Sequence, residues 1–175
     1  QKVLHWFFAF PYKKVSLNEL SKNLSISKAN ANKIVINLIK EGFLIKETIG
    51  KTWQLSCNVR HSFNQEKKIP YNLGLIYNSG ILSLVNRKLP NAKAVILFGS
   101  YRWGDNNENS DVDIAVEILG NEKLKIEELT KIKSLGFREN IPVNLHIFSR
   151  KNINLNLYTN IINGIVLEGL VEVKT

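Results

Sequence analysis

The sequence has very little cysteine and no long apolar run. Its single cysteine, Cys57, excludes an internal disulfide framework, and the cytoplasm is the default setting for such a chain. The early apolar cluster from Leu4 to Phe10 is too short and too aromatic for a signal peptide, and no segment approaches a membrane span. Cys57 and His61 lie four residues apart, but no second pair accompanies them, which argues against a zinc site. We therefore expect a cytoplasmic protein with no membrane partner.

Acidic residues are scarce in the first third of the chain. Residues 1–60 contain ten Lys or Arg residues and three acids, so most of the net charge of +9 lies there. This asymmetry indicates two modules, the first with an anionic partner, although a basic surface can also serve only for solubility. We place the first module at residues 1–57, a helical linker that packs on the second domain at 58–90, and the second domain at 91–175.

Local signals in the first module predict three helices and a hairpin. Ser16 and Glu19 form a capping box for a short second helix, and Ser27 can cap a longer third helix over residues 28–41. Residues 43–48 and 52–56 then alternate as two strands around a turn at Gly50.

That order of elements resembles a winged helix-turn-helix domain, in which the third helix enters the DNA major groove and the wing touches the backbone. The resemblance implies double-stranded DNA as a partner. A use in homodimerisation or in docking a protein stays open. The DNA-binding residues that we expect are Ser27, Lys28, Asn30, Lys33 and Asn37 on the helix and Lys46 and Lys51 in the wing.

The second domain is organised around the stretch AVILFGSYRWGDNNENSDVDIAV at residues 94–116. A buried strand ends at Gly99-Ser100, and a polar loop leads to a second strand that begins beside Asp111. Alternation places the carboxylates of Asp111 and Asp113 on one face, with no Lys or Arg between them. Two such carboxylates repel each other unless a cation lies there, and their oxygens suit Mg²⁺.

The stretch combines Gly-Ser, a spacer of about ten residues and Asp-x-Asp. This combination resembles the signature of the DNA polymerase beta-type nucleotidyltransferase superfamily, in particular its minimal nucleotidyltransferase branch. The resemblance covers residues 91–175 and implies an enzyme that moves a nucleoside monophosphate, with AMP from ATP as the first expectation, onto a hydroxyl acceptor. A partner protein such as a toxin in a toxin–antitoxin pair is one acceptor that it implies. Asp111 and Asp113 would be catalytic and would bind Mg²⁺, in a site for two ions, while Gly99, Ser100 and Arg102 would bind the nucleotide.

The expected fold is α+β, a winged helix-turn-helix followed by a small α/β domain with a mixed sheet. After a helix over residues 71–89 and the two strands of the motif, the pattern predicts the remaining elements in this order: helix 122–135, strand 142–148, helix 153–162 and strand 165–173.

One departure from the resemblance concerns the third carboxylate that active relatives carry on a neighbouring strand. In strand 142–148 the matching position is occupied by Asn144 or His146, which share a face. Asparagine can offer a carbonyl oxygen to Mg²⁺ but takes no proton, whereas histidine could act as the base. We therefore keep Asn144 and His146 as candidate catalytic residues. The alternative is a DNA-binding regulator whose weak or inactive nucleotidyltransferase-like domain serves for nucleotide sensing or dimerisation.

Overall fold

The computed structural model describes residues 1–172 and has two sheets, one in each half of the chain. Helices and strands alternate in both halves, which confirms the α+β class. Within the described residues, no helix is both long enough and apolar enough to cross a membrane.

The amino-terminal module contains three helices and a three-stranded antiparallel sheet with the order β1-β3-β2. Ser16 Oγ accepts a hydrogen bond from the Glu19 amide, and the Glu19 carboxylate accepts one from the Ser16 amide, so the predicted capping box is present. The Ser27 hydroxyl likewise caps the third helix by accepting from the Asn30 amide. The elements are α1 (Lys2–Ala9), β1 (Val15–Ser16), α2 (Leu17–Asn23), α3 (Lys28–Lys40), β2 (Leu44–Ile49) and β3 (Thr52–Cys57).

Three short helices connect the two sheets, namely α4 (Phe63–Glu66), α5 (Lys68–Asn78) and α6 (Ile81–Lys88). The single helix expected over residues 71–89 is broken at Gly80, whose φ of +81° is accessible to glycine but interrupts a helix. Pro70 lies in the first turn of α5, where its missing amide breaks no helical hydrogen bond.

The carboxy-terminal half forms a five-stranded mixed sheet with the order β6-β7-β5-β4-β8, in which β5 and β7 are parallel. The strand predicted over residues 165–173 ends at Gly169 in the structure; residues 170–172 are not in a strand, and Val173 lies outside the described residues. A 3₁₀ turn at Arg150–Asn152 precedes the last helix. The elements are β4 (Ala94–Phe98), α7 (Ser100–Trp103), β5 (Val112–Glu117), β6 (Lys125–Leu135), β7 (Arg138–Phe148), α8 (Leu155–Ile162) and β8 (Ile165–Gly169).

The predicted helix over residues 122–135 is wrong, because this segment is strand β6, which pairs along β7 as a long antiparallel hairpin. Leu135 faces Arg138 across a two-residue turn, and Gly136 takes the first turn position with φ +64°. Glycine at that position is typical of a type II′ hairpin turn. The hairpin places residues 125–135 at the edge of the sheet, next to the strand that carries Asn144 and His146.

The two faces of the five-stranded sheet bury different clusters. One face, with Ile114 and Leu145 at its centre, packs against α5, α6 and α7. The other face, with Phe98, Ala115 and Phe148, packs against α8. Because neighbouring residues of a strand alternate between faces, Asp113, Asn144 and His146 belong to the α8 face.

Candidate active site

Gly99 directly follows β4 and has a backbone conformation that is almost confined to glycine. Its φ of +69° and ψ of −156° lie in a region where a side chain is strained. A Cβ at this position would lie 2.7 Å from Asp113 Oδ2, so the missing side chain leaves a cradle in which the backbone approaches that carboxylate. The glycine of the Gly-Ser pair is therefore required by the turn and by the carboxylate beside it.

Asp113 lies on the central strand of the site, level with residues of both neighbouring strands. It pairs with Phe98 on β4 and with Asn144 on the parallel strand β7. Asp111 immediately precedes β5, and its Oδ2 accepts a hydrogen bond of 3.2 Å from Asn144 Nδ2. The structure thus brings Asp111, Asp113 and Asn144 together, and of the two candidates for the third position it is Asn144 that is level with Asp113.

His146 lies one pleat further along β7 and reaches back to the site. Its Nε2 is 3.2 Å from Asp113 Oδ1 and donates to it in the tautomer that carries the proton there. The imidazole meets the Phe98 ring edge to face at a centroid distance of 4.8 Å. His146 Nδ1 is buried and has no hydrogen-bond partner among the described residues. The ring therefore fixes the Asp113 carboxylate from one side.

Ser100 and Arg102 follow Gly99 in the short helix α7. Ser100 is half-buried at the start of that helix, directly after the Gly99 turn. Arg102 Nε donates to the Asn163 carbonyl at 2.6 Å, and its guanidinium stacks on the Trp103 ring. In this conformation Arg102 ties α7 to the end of α8, so an interaction with a triphosphate would use its terminal nitrogens.

A buried polar network holds the loop that leads from α7 to Asp111. Arg138 donates to Tyr101 Oη at 2.7 Å and to the carbonyls of Glu108 and Ser110. Asn72 of α5 donates to the Tyr101 carbonyl and to Asn106 Oδ1. These contacts hold α7 at Tyr101 and the loop between α7 and Asp111 at Asn106, Glu108 and Ser110.

Lys68 joins this network from the first turn of α5. It is only 1% exposed and donates to the Asn106 carbonyl at 2.5 Å. Burial lowers the pKa of its ammonium group to about 8, because desolvation penalises the charged form. Burial also raises the pKa of the nearby Cys57 thiol to about 11, so this cysteine is a poor nucleophile. The network therefore connects the end of β3, through α5, to the loop before Asp111.

The donor set of the site fits Mg²⁺. Within residues 1–172, the structure contains no group of three or more His, Cys, Asp or Glu side chains placed to hold a metal. Asp111 and Asp113 provide two carboxylates beside the Gly99 cradle, and Mg²⁺ in nucleotide enzymes is commonly held by one or two carboxylates plus substrate phosphates. Asn144 adds an amide oxygen at the same level. A site of this kind needs the phosphate oxygens of a nucleotide to complete it.

The family model described as polymerase beta, nucleotidyltransferase matches residues 81–169, just over half of the chain. The chain belongs to this nucleotidyltransferase family. The match contains Gly99, Ser100, Asp111 and Asp113, and it begins at α6, ten residues before the predicted start of the second domain. No curated protein matches the chain with significant similarity.

The residues expected to bind DNA lie on the surface of the module that precedes the nucleotidyltransferase domain. All seven are exposed, although the hydroxyl of Ser27 is engaged as the cap of α3. Lys46 Nζ lies 4.3 Å from the centre of the Trp53 ring. A groove of about 520 Å³ runs between the start of α3 and the β2–β3 turn, with Lys28 on one side and Lys51 on the other.

Sequence reasoning missed two kinds of residue around these sites. Glu128 was assigned to a helix, whereas it pairs with Asn144 across β6 and β7. The alternating residues on both sides of Gly136 were the available signal for that hairpin. Lys68, Asn72 and Arg138 carried no sequence signal for a buried network, because charged and amide side chains are mostly exposed in proteins.

Proposed function

We propose that this protein is an Mg²⁺-dependent enzyme that transfers a nucleoside monophosphate from a nucleoside triphosphate to a hydroxyl acceptor. The observation that carries the proposal is the close approach of Gly99 to Asp113, with Asp111 two residues away on the same side of β5. Membership of the nucleotidyltransferase family supports the same reaction class.

In the proposed reaction the acceptor oxygen attacks the α-phosphorus. A bond forms between that oxygen and the α-phosphorus, the bond from the α-phosphorus to the bridging oxygen breaks, and pyrophosphate leaves. The hydroxyl proton passes to solvent. Such a transfer depends on positioning and electrostatic stabilisation more than on covalent catalysis by the protein.

Each site residue has a role in this proposal that follows from its contacts. Asp111 and Asp113 would hold Mg²⁺, in a site for two ions. When bound, Mg²⁺ would neutralise the phosphate charge and activate the attacking oxygen. The turn at Gly99 and Ser100 would hold the phosphates. Asn144 and His146 would orient the two carboxylates, since each already contacts one of them. For His146 the engaged Nε2 and the buried Nδ1 favour this orienting role over that of a base.

ATP is the nucleotide that we propose to test first, and a protein hydroxyl is the first acceptor. Both choices rest on the resemblance to the minimal nucleotidyltransferases of toxin–antitoxin pairs. A small molecule with a free hydroxyl is the next acceptor class.

We expect the Asp111→Asn/Asp113→Asn protein to lose transfer completely, because amides cannot neutralise a metal ion. The measurement incubates the protein with Mg²⁺, a cell extract and each α-labelled triphosphate in turn, and follows label in protein, nucleic acid and small-molecule fractions. Glu122→Gln/Glu139→Gln, which removes two exposed carboxylates elsewhere, is the matched control. Equal labelling by the wild type and the double Asn variant would contradict the proposal.

We also propose that the amino-terminal module is a winged helix-turn-helix that binds double-stranded DNA. The order of three helices and a β1-β3-β2 sheet supports this assignment. The groove between Lys28 and Lys51, with Asn18, Asn32 and Trp53 in its walls, supports a nucleic-acid partner. Asparagine can pair with adenine, and lysine can contact guanine or phosphate.

Replacing Lys28 and Lys33 by Glu should abolish this DNA binding. Each lysine that contacts a phosphate also contributes about one unit to the slope of log affinity against log salt. Fluorescence anisotropy with a labelled duplex at several salt concentrations measures both quantities. Lys123→Glu/Lys133→Glu makes the same charge change on exposed residues of the other half. Unchanged affinity in the Lys28/Lys33 variant would show that α3 does not face the duplex.

The alternative function is a DNA-binding regulator with a weak nucleotidyltransferase-like domain, and Asn144 at the level of Asp113 is the observation that favours it. A regulator would bind ATP and a defined duplex but transfer no label under any of the conditions above. That combination of results would replace the enzyme proposal with this alternative.

A further inference from the structure

We propose that Glu128 supplies the third carboxylate of the metal site, in place of the acid that β7 lacks at Asn144. This inference rests on the proposed function, because it names a further ligand of the same Mg²⁺ site. Three residues form a row across the sheet. Asp113 on β5 pairs with Asn144 on β7, and Asn144 pairs with Glu128 on β6.

Directly paired residues of neighbouring strands project from the same face of a sheet. Leu124, which immediately precedes β6 and alternates in step with Glu128, packs against the cluster under α8, and this agrees with the placement. The next residue, Glu127, pairs with Leu145 and forms an ion pair of 2.6 Å with Lys88 of α6 on the opposite face. Glu128 is therefore on the face that carries Asp113, Asn144 and His146.

The distances permit Glu128 to share an ion with Asp111. Two strand spacings place the Cα of Glu128 about 10 Å from that of Asp113. The carboxylate of Asp111 lies close to β7, because its Oδ2 accepts a hydrogen bond of 3.2 Å from Asn144 Nδ2. An extended glutamate side chain reaches roughly 5 Å from its Cα, given ordinary bond lengths. A cation held by Asp111 above Asn144 lies within the span of both side chains, with Mg²⁺–oxygen distances of about 2.1 Å.

Little restrains Glu128 in its present rotamer. Its side chain is 50% exposed, and its ion pair with Lys131 is long, at 3.9 Å. Exposed pairs of this kind contribute little to stability, because solvent screens the two charges. The strand also has a register shift between Glu128 and Thr130, and bulges beside functional sites commonly redirect a side chain. A change of the Glu128 rotamer towards Asp111 on cation binding therefore costs little free energy.

The chemistry of the site favours a carboxylate from this strand over the alternatives on β7. Mg²⁺ selects oxygen ligands, so the imidazole of His146 is a poor substitute. Asn144 can give a neutral oxygen but no negative charge. With Asp111 and Asp113 alone the site has two negative charges, and Glu128 would add a third to balance the charge of the cation.

The test measures Mn²⁺ affinity, with Mn²⁺ alone and with Mn²⁺ plus α,β-methylene-ATP, by electron paramagnetic resonance. Glu128→Gln should weaken Mn²⁺ binding at least tenfold and leave the thermal midpoint of the metal-free protein unchanged. Glu139→Gln is the matched control, because this exposed acid of the same hairpin lies five residues, about 17 Å, before Asn144. Asn144→Asp should restore the affinity of the Glu128→Gln protein by moving the third charge one strand inward.

The outcomes separate this inference from the proposed function. Loss of Mn²⁺ binding in Asp113→Asn together with normal binding in Glu128→Gln would overturn the role of Glu128 and leave the metal site intact. Normal binding in both variants would overturn both. If Asn144→Asp fails to restore Mn²⁺ binding to the Glu128→Gln protein, that result would also contradict the proposal that Glu128 takes the place of an acid at position 144.

Discussion

Gly99→Ala is expected to reduce nucleotide transfer by at least about 100-fold while the protein remains folded. An alanine Cβ would lie 2.7 Å from Asp113 Oδ2, so the carboxylate has to move away from its present position. A displacement of about 1 Å in a catalytic group can lower a rate by two orders of magnitude. The backbone conformation at Gly99 adds strain of about 1–3 kcal/mol, which lowers the thermal midpoint without unfolding the domain.

Gly50→Ala is the control for backbone strain in this experiment. Gly50 also has a positive φ, +60°, but a Cβ there would meet no atom within 4 Å among the described residues. The Gly50 variant should therefore keep its transfer rate while losing some stability to backbone strain. Wild-type transfer by the Gly99→Ala protein, measured as label transferred per minute, would show that the approach to Asp113 has no catalytic importance.

Arg138→Met is expected to destabilise the protein by about 3 kcal/mol in urea unfolding at pH 7. The side chain is 8% exposed and donates to Tyr101 Oη and to the carbonyls of Glu108 and Ser110. Methionine fills a similar volume but removes all three hydrogen bonds, and a buried acceptor that loses its partner costs about 1–3 kcal/mol. Relief of the repulsion between Arg138 and the buried Lys68 offsets part of the loss.

Arg87→Met provides the comparison for Arg138, because Arg87 is exposed in the last turn of α6. Its replacement should change the free energy of unfolding by less than about 0.5 kcal/mol. The Arg138 variant should also transfer nucleotide more slowly, since the loop that it holds leads directly into Asp111. A loss of stability below about 1 kcal/mol would contradict the structural role given to Arg138.

The local features of the fold could be predicted because their causes are local. The Ser16–Glu19 capping box and the Ser27 cap depend on residues three apart, and the structure has both. The position of Asp111 and Asp113 on one side of a strand follows from alternation alone. The sequence could not choose between Asn144 and His146, because only the register of β5 against β7 determines which one is level with Asp113.

The hairpin of β6 and β7 shows why one element was predicted wrongly. Leu129, Ile132 and Leu135 recur every three residues, which favours a helix. In the structure the register shift between Glu128 and Thr130 adds a residue to the strand, so Leu129 and Ile132 pack against the same cluster without a helix. A bulge depends on the partner strand, and a single sequence does not reveal it. The same error hid Glu128 from the list of candidate site residues.

The central claim is that the site transfers the nucleoside monophosphate and not the terminal phosphate. One measurement distinguishes these reactions. The protein is incubated with Mg²⁺, cell extract and ATP that is labelled at either the α- or the γ-phosphate. We expect α-label in a product and γ-label in released pyrophosphate, with neither produced by the Asp111→Asn/Asp113→Asn protein. Label from the γ-phosphate in the product, or α-label transferred equally well by the double Asn protein, would contradict it.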